Sequence, residues 1–95
     1  MAQVVRFTDS CTGHGCYPPR KNVAASGNSS VNSLGIHRVG DGWESHGCGS
    51  CTPHTGVQAT GSPNIFVNGM ALARVGDNIS CGSMNATGSS NVQGN

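Results

Sequence analysis

Four histidines and five cysteines stand in a 95-residue chain that holds only four acids and five Lys or Arg residues. Imidazole and thiolate are zinc's preferred ligands, and their distribution here allows two ways of building a site. In the first, His14, His46, His54 and Cys81 come together. Three imidazoles and one thiolate close a tetrahedral shell and leave no position for water, which makes a structural centre and not a catalytic one. In the second, Cys48-Gly-Ser-Cys51 combines with Cys11 and Cys16 as a four-thiolate zinc ribbon, a stand-alone binding module. His37 belongs to neither set and reads as an ordinary packing or surface residue.

Catalysis finds less support. A Cys-x-x-Cys pair suits redox work, but no βαβ pattern surrounds this one. A Cys/His nucleophilic enzyme would have only Glu44 as a well-placed carboxylate, and no Gly-rich loop for an oxyanion or phosphate. Glu44-Ser-His46 before Cys48-x-x-Cys51 carries the elements of a zinc deaminase signature in the wrong order. The expectation is a non-enzyme without a small-molecule substrate.

The elements that would deliver the first ligand set form a repeat. Arg6-Phe7-Thr8-Asp9, Arg38-Val39-Gly40-Asp41 and Arg74-Val75-Gly76-Asp77 stand 32 and 36 residues apart. Val4, Ile36 and Leu72 lie two residues before each arginine. His14-Gly15, His46-Gly47 and Cys81-Gly82 follow the three aspartates at nearly constant distance. The pattern implies three similar strand-turn units, each sending one side chain to a shared centre. The Arg and Asp of each unit are expected to brace its turn by charge-assisted hydrogen bonding.

The clearest unit is a hairpin: Ile65-Phe66-Val67, a turn at Asn68-Gly69, and a return over Met70 to Val75. Val31 to Val39 resembles it, with Asn32-Ser33 aligned on the turn, and Val4 to Phe7 reads as a first strand. Residues 10–30 read as a long irregular insertion, and residues 42–56 as a dense polar loop. Ala86 to Val92 (ATGSSNV) echoes Ala59 to Ile65 (ATGSPNI), so the tail begins a strand from which the chain does not return. No segment sustains helical periodicity, and the expected class is all-β in a single domain spanning residues 1–95.

Leu, Ile, Val and Phe number 16 of 95 residues, too few for a secure core, while the net charge of +1 argues against charge-driven disorder. Such a chain needs a staple. Five cysteines cannot all pair within the chain, and MAQVVRFTDS has neither the basic nor the apolar region of a signal peptide. Synthesis in a reducing cytosol favours metal over disulfides. No apolar run approaches the ~20 residues of a membrane span, and no basic patch invites nucleic acid.

The segment VNGMALARVGDNISCG resembles the PAAR-repeat proteins, named for a Pro-Ala-Ala-Arg motif. The motif stands as Ala71-Leu72-Ala73-Arg74 and, in the earlier copy, as Gly35-Ile36-His37-Arg38, with the proline replaced by Ala71 and Gly35. Cys51 to Gly56 (CTPHTG) is similar to the family's Cys-x-x-His-x-Gly segment, which supports His54 as a ligand. The resemblance implies a small conical β-protein with threefold pseudo-symmetry and one structural Zn2+ near its apex. It also implies a role as the tip of a contractile injection machine, one chain capping a trimeric β-helical spike and meeting the target outer membrane transiently. The expected location is a phage tail tip in the virion or a type VI secretion apparatus, after synthesis in the bacterial cytoplasm. Exposed edges at Ile65, Phe66 and Val67 and at the Val92 tail strand are expected to pair with the last turn of the spike.

Overall fold

A computed structural model describes residues 2–14, 17–48 and 51–94, with the backbone alone at Cys48 and Cys51. Among them there is no helix; the chain is all-β, 38 Å long and 23 Å across in both other directions. Eight strands form four two-stranded antiparallel sheets: β1 (Ala2–Gln3) with β8 (Gln93–Gly94), β2 (Ser30–Val31) with β3 (Leu34–Gly35), β4 (Gly42–Cys48) with β5 (Cys51–Val57), and β6 (Phe66–Val67) with β7 (Met70–Ala71).

Two of the three short hairpins turn at the expected dipeptides. Asn68-Gly69 and Asn32-Ser33 both have positive φ at both positions (55° and 81°, 54° and 67°), which matches the right-handed twist of the flanking strands. The third hairpin corrects the sequence reading. The tail strand does not lack a return; β1 supplies it, with Ala2 opposite Gly94 and Gln3 opposite Gln93. The unit is split between the two ends of the chain, so no local turn signal exists to reveal it. The expected first strand over Val4 to Phe7 is shorter and displaced to Ala2–Gln3, while Val4 and Arg6 make single bridges to Arg74 and Ile36.

The three units interlock cyclically through their backbones. Val5 N–H donates to Ala73 O (3.1 Å), Ala73 N–H to His37 O (3.0 Å) and His37 N–H to Val5 O (3.0 Å). All three residues are fully buried. His37 is thus an axial packing residue: its Nδ1–H donates to Ala24 O at 2.8 Å and its ring meets Trp43 edge-on at 5.1 Å. Burial holds its pKa below the usual imidazole value, with the Ala24 carbonyl and Asp41 opposing that shift.

Each Arg-Asp brace forms as expected. Asp9, Asp41 and Asp77 each accept from the backbone N–H and the guanidinium of the arginine three residues earlier, at 2.8–3.1 Å. That hydrogen bond is the main cause of the raised pKa of all three arginines. The third residue of each turn lies in the left-handed region: Gly40 and Gly76 at φ 95° and 94°, but Thr8 at 76°, where a β-branched side chain is strained.

Residues 10–30 are not an irregular insertion throughout. Ser26, Ser62 and Ser89 are equivalent buried residues. Their N–H groups donate to Ile36 O, Leu72 O and Val4 O, and each Oγ caps N–H groups two and three residues ahead. Asn22, Gln58 and Asn85 are likewise equivalent, each N–H donating to the carbonyl of its unit's aspartate. Nor are the described residues of 42–56 a loop: Gly42–Cys48 and Cys51–Val57 pair as β4 and β5.

The apolar core is small and divided. Val4, Val67 and Leu72 form one cluster within the short hairpins, flanked by Val31, Ile36, Ile65 and Val92. Cys11, Trp43 and Ile79 form the second, with Cys81 against it. Each of those three lies two residues beyond a brace aspartate, so each unit contributes one. The segments leading away from the braces build the site.

Candidate metal centre

Three segments leave the braces: residues 10–21 after Asp9, 42–57 after Asp41 and 78–84 after Asp77. They differ in length, and so in what they carry. The first brings His14, the second His46 and His54 on facing strands, and the third Cys81. His46 lies opposite His54 in the β4–β5 register, with irregularities on both sides of the pair. As directly opposed residues of an antiparallel pair, the two imidazoles share one side of the hairpin.

The four residues expected as ligands do meet. One donor atom from each of His14, His46, His54 and Cys81 lies within 4.8 Å of every other, and the set could hold a metal ion. His54 Nε2 is 3.1 Å from His14 Nε2 and 2.7 Å from His46 Nε2. These separations are inside the ~3.3 Å edge of a tetrahedron with metal–imidazole bonds of about 2.0–2.1 Å. The donor chemistry fits a closed shell of three nitrogens and one sulfur. His46 is buried, and its Nδ1–H donates to Pro18 O at 2.8 Å, which leaves Nε2 bare and directed at the cluster. Desolvation, followed by the neighbouring imidazoles His46 and His14, holds the His54 pKa below the usual value and favours the neutral ring that a cation requires.

Two further residues shape the site and went unremarked in the sequence. The Tyr17 ring packs against all three imidazoles, at 4.7, 4.9 and 4.1 Å from His14, His46 and His54, while its hydroxyl donates to Thr52 O at 2.7 Å. Arg20 is buried beside Cys81. Within a stretch read as an insertion, neither had a repeat partner to mark it. The Tyr17-Pro18-Pro19 run was a usable signal, since Pro18 supplies the carbonyl that orients His46.

Of the alternative thiolate set, only Cys11 has a described side chain. Cys11 is a free thiol, 1% exposed, packed with Trp43 and Ile79 in the apolar cluster. Cys16 and the side chains of Cys48 and Cys51 lie outside the described residues, although the backbones of Cys48 and Cys51 face each other in register.

The residues expected to bind a partner occupy the short hairpins. Phe66 is 60% exposed, Val67 is core, and Ile65 and Val92 are half-buried against that core. The Val92 carbonyl accepts Val4 N–H at 3.1 Å, on the side of the tail strand that pairs with β1.

A family model described as PAAR motif matches residues 12–87. No curated protein sequence matches the chain.

Proposed function

Because the chain belongs to the PAAR-motif family, the spike-tip proteins of contractile injection machines, we propose that it caps a trimeric β-helical spike, one chain per trimer, and hardens the point that meets the target envelope. The observation that carries this reading is the cyclic bonding of Val5, His37 and Ala73. It gives one polypeptide a threefold core, the symmetry needed to sit on the end of a three-chain spike.

In this reading residues 1–95 act as one unit. The short hairpins face the spike, and the three brace segments form the point, in a phage tail or a type VI apparatus. His14, His46, His54 and Cys81 hold one Zn2+, whose chemistry is that of a redox-inert cross-link with no open coordination site. It ties together three segments that share little apolar core. The role is load-bearing, without turnover.

Phe66, 60% exposed on the β6–β7 hairpin, is the first candidate for spike contact. Phe66→Ser is expected to weaken capture by a trimeric spike by about 10- to 150-fold, the loss of roughly 1.5–3 kcal/mol of apolar burial. Chain stability should move by no more than about 0.5 kcal/mol. The check is titration of tip against spike trimer with mass measurement of the complex. A stoichiometry other than one to three, or binding indifferent to Phe66→Ser, would remove this assignment. Deleting residues 86–95 is not a clean test, because it also removes β8 and the Ser89 cap.

A further inference from the structure

Arg20 belongs to neither the threefold repeat nor the ligand set, yet it touches all three brace segments. It is 3% exposed. A buried guanidinium is costly without an anion, and the chain's four acids are engaged elsewhere. Asp9, Asp41 and Asp77 pair with their own arginines, and Glu44 Oε1 accepts Lys21 N–H at 3.1 Å. Arg20 Nη1–H donates instead to the carbonyls of Glu44 (2.7 Å) and His54 (3.3 Å), one on each strand of the β4–β5 hairpin. Nη2–H donates to Cys81 Sγ at 2.8 Å. The Arg20 carbonyl is fixed as well, accepting Cys11 N–H at 2.9 Å.

Gly56 adds an independent observation. A Cβ there would lie 2.9 Å from Arg20 Nη2 and 3.1 Å from Ile79 Cγ2. The glycine two residues after His54 therefore leaves the space that the guanidinium fills. Arginine is the side chain this arrangement calls for, since its planar fork serves two carbonyls and a sulfur at once. A lysine ammonium is a single point of charge that cannot span them.

We infer that Arg20 is a positioning residue of the metal centre. Its guanidinium holds the Cys81 sulfur toward the three imidazoles and clamps the hairpin that carries two of them. The inference rests on His14, His46, His54 and Cys81 being the metal's ligands.

The experiment uses the full chain loaded with cobalt(II), comparing wild type, Arg20→Met and Arg20→Lys. Arg20→Met is expected to release metal to a chelator about 10- to 100-fold faster. Its thiolate-to-cobalt charge-transfer band should move to longer wavelength, because the sulfur loses a hydrogen bond that lowers its donor energy. Arg20→Lys should fall between. A merely structural role would speed release without moving the band. Wild-type release rates and band positions in both variants would overturn the inference and leave the ligand assignment standing. Absence of a thiolate band in the wild type would overturn the ligand assignment itself. Should Arg20→Met fail to fold, the band of Arg20→Lys decides: a shift supports the role, and the wild-type position refutes it.

Discussion

The short hairpins and the brace segments of this molecule are held together by different means. In the hairpin region three near-equivalent units repeat the same bonds: an Arg-Asp brace, a buried capping serine, and a backbone ring through Val5, His37 and Ala73. In the brace segments the units diverge. One carries the long β4–β5 hairpin, another is a compact run from Asn78 to Met84, and their shared apolar cluster is Cys11, Trp43 and Ile79. Repetition lets the hairpin region close on itself without a ligand. The divergent region has no such redundancy, and in the proposed reading a metal held by His14, His46, His54 and Cys81 would replace it.

The two regions should differ most visibly when the metal is removed. Stripping zinc, or substituting His46→Ala, is expected to cost about 3–4 kcal/mol at saturating metal, or roughly 10–30 °C in Tm. Hydrogen exchange should show the loss concentrated in β4 and β5, with the Val5, His37 and Ala73 amides protected longest. Uniform loss of protection would mean that the two regions do not differ.

Next in size is Asp77→Ala. It leaves the Arg74 N–H without its acceptor and the guanidinium with the Gly61 carbonyl alone, at a cost of about 2–4 kcal/mol seen by denaturant unfolding. Unlike metal loss, it should deprotect the hairpin region first.

His37 supplies an acid sensitivity of the hairpin region itself. Its folded pKa is lowered, so the unfolded chain binds more protons. Stability is full above the unfolded value of ~6.5 and falls as the pH drops below it, by up to about 1.4 kcal/mol per pH unit, until the folded value is passed. His37→Ala, the residue found at the equivalent position 73, should flatten that slope relative to wild type in chelator-treated protein. An unchanged slope would assign the acid loss to other groups.

The smallest expected effect is a gain. Thr8 occupies a left-handed position that the other two units fill with Gly40 and Gly76. Thr8→Gly should stabilise the chain by about 1 kcal/mol through relief of strain, measurable as a few degrees in Tm; destabilisation would show that the Thr8 side chain matters more than its φ.

The same contrast governs what could be read from the sequence. The hairpin region was legible where its chemistry recurs locally. Three Arg-x-x-Asp copies identified the braces, and Asn68-Gly69 identified a turn. The third hairpin was hidden because its strands lie at opposite ends of the chain, at Ala2–Gln3 and Gln93–Gly94. Ser26-Gly27-Asn28 was a readable third copy of Ser62-Pro63-Asn64 and Ser89-Ser90-Asn91, obscured by the polar residues around it.

In the brace segments, the four residues that meet, His14, His46, His54 and Cys81, were legible by type and spacing, because imidazole and thiolate have few other uses at such density. The elements bearing them were not. β4 and β5 are built largely of Gly, Ser, His, Thr and Pro, without the β-branched alternation that marks a strand, and the segment reads as a loop. Their pairing is set by neighbours: Glu44 N–H on Lys21 O, Val57 N–H on Ser80 Oγ, and Arg20 across both strands. Arg20 itself lies outside the repeat, and the sulfur it contacts is 61 residues away.

Zinc content per chain, measured in wild type, in Cys81→Ser and in the double variant Cys48→Ser/Cys51→Ser, tests the His/His/His/Cys centre most directly. One zinc is expected in the wild type, one in the double variant and less than one after Cys81→Ser. Zinc retained by Cys81→Ser and lost from the double variant would contradict that centre and move the metal to the thiolates of the β4–β5 hairpin.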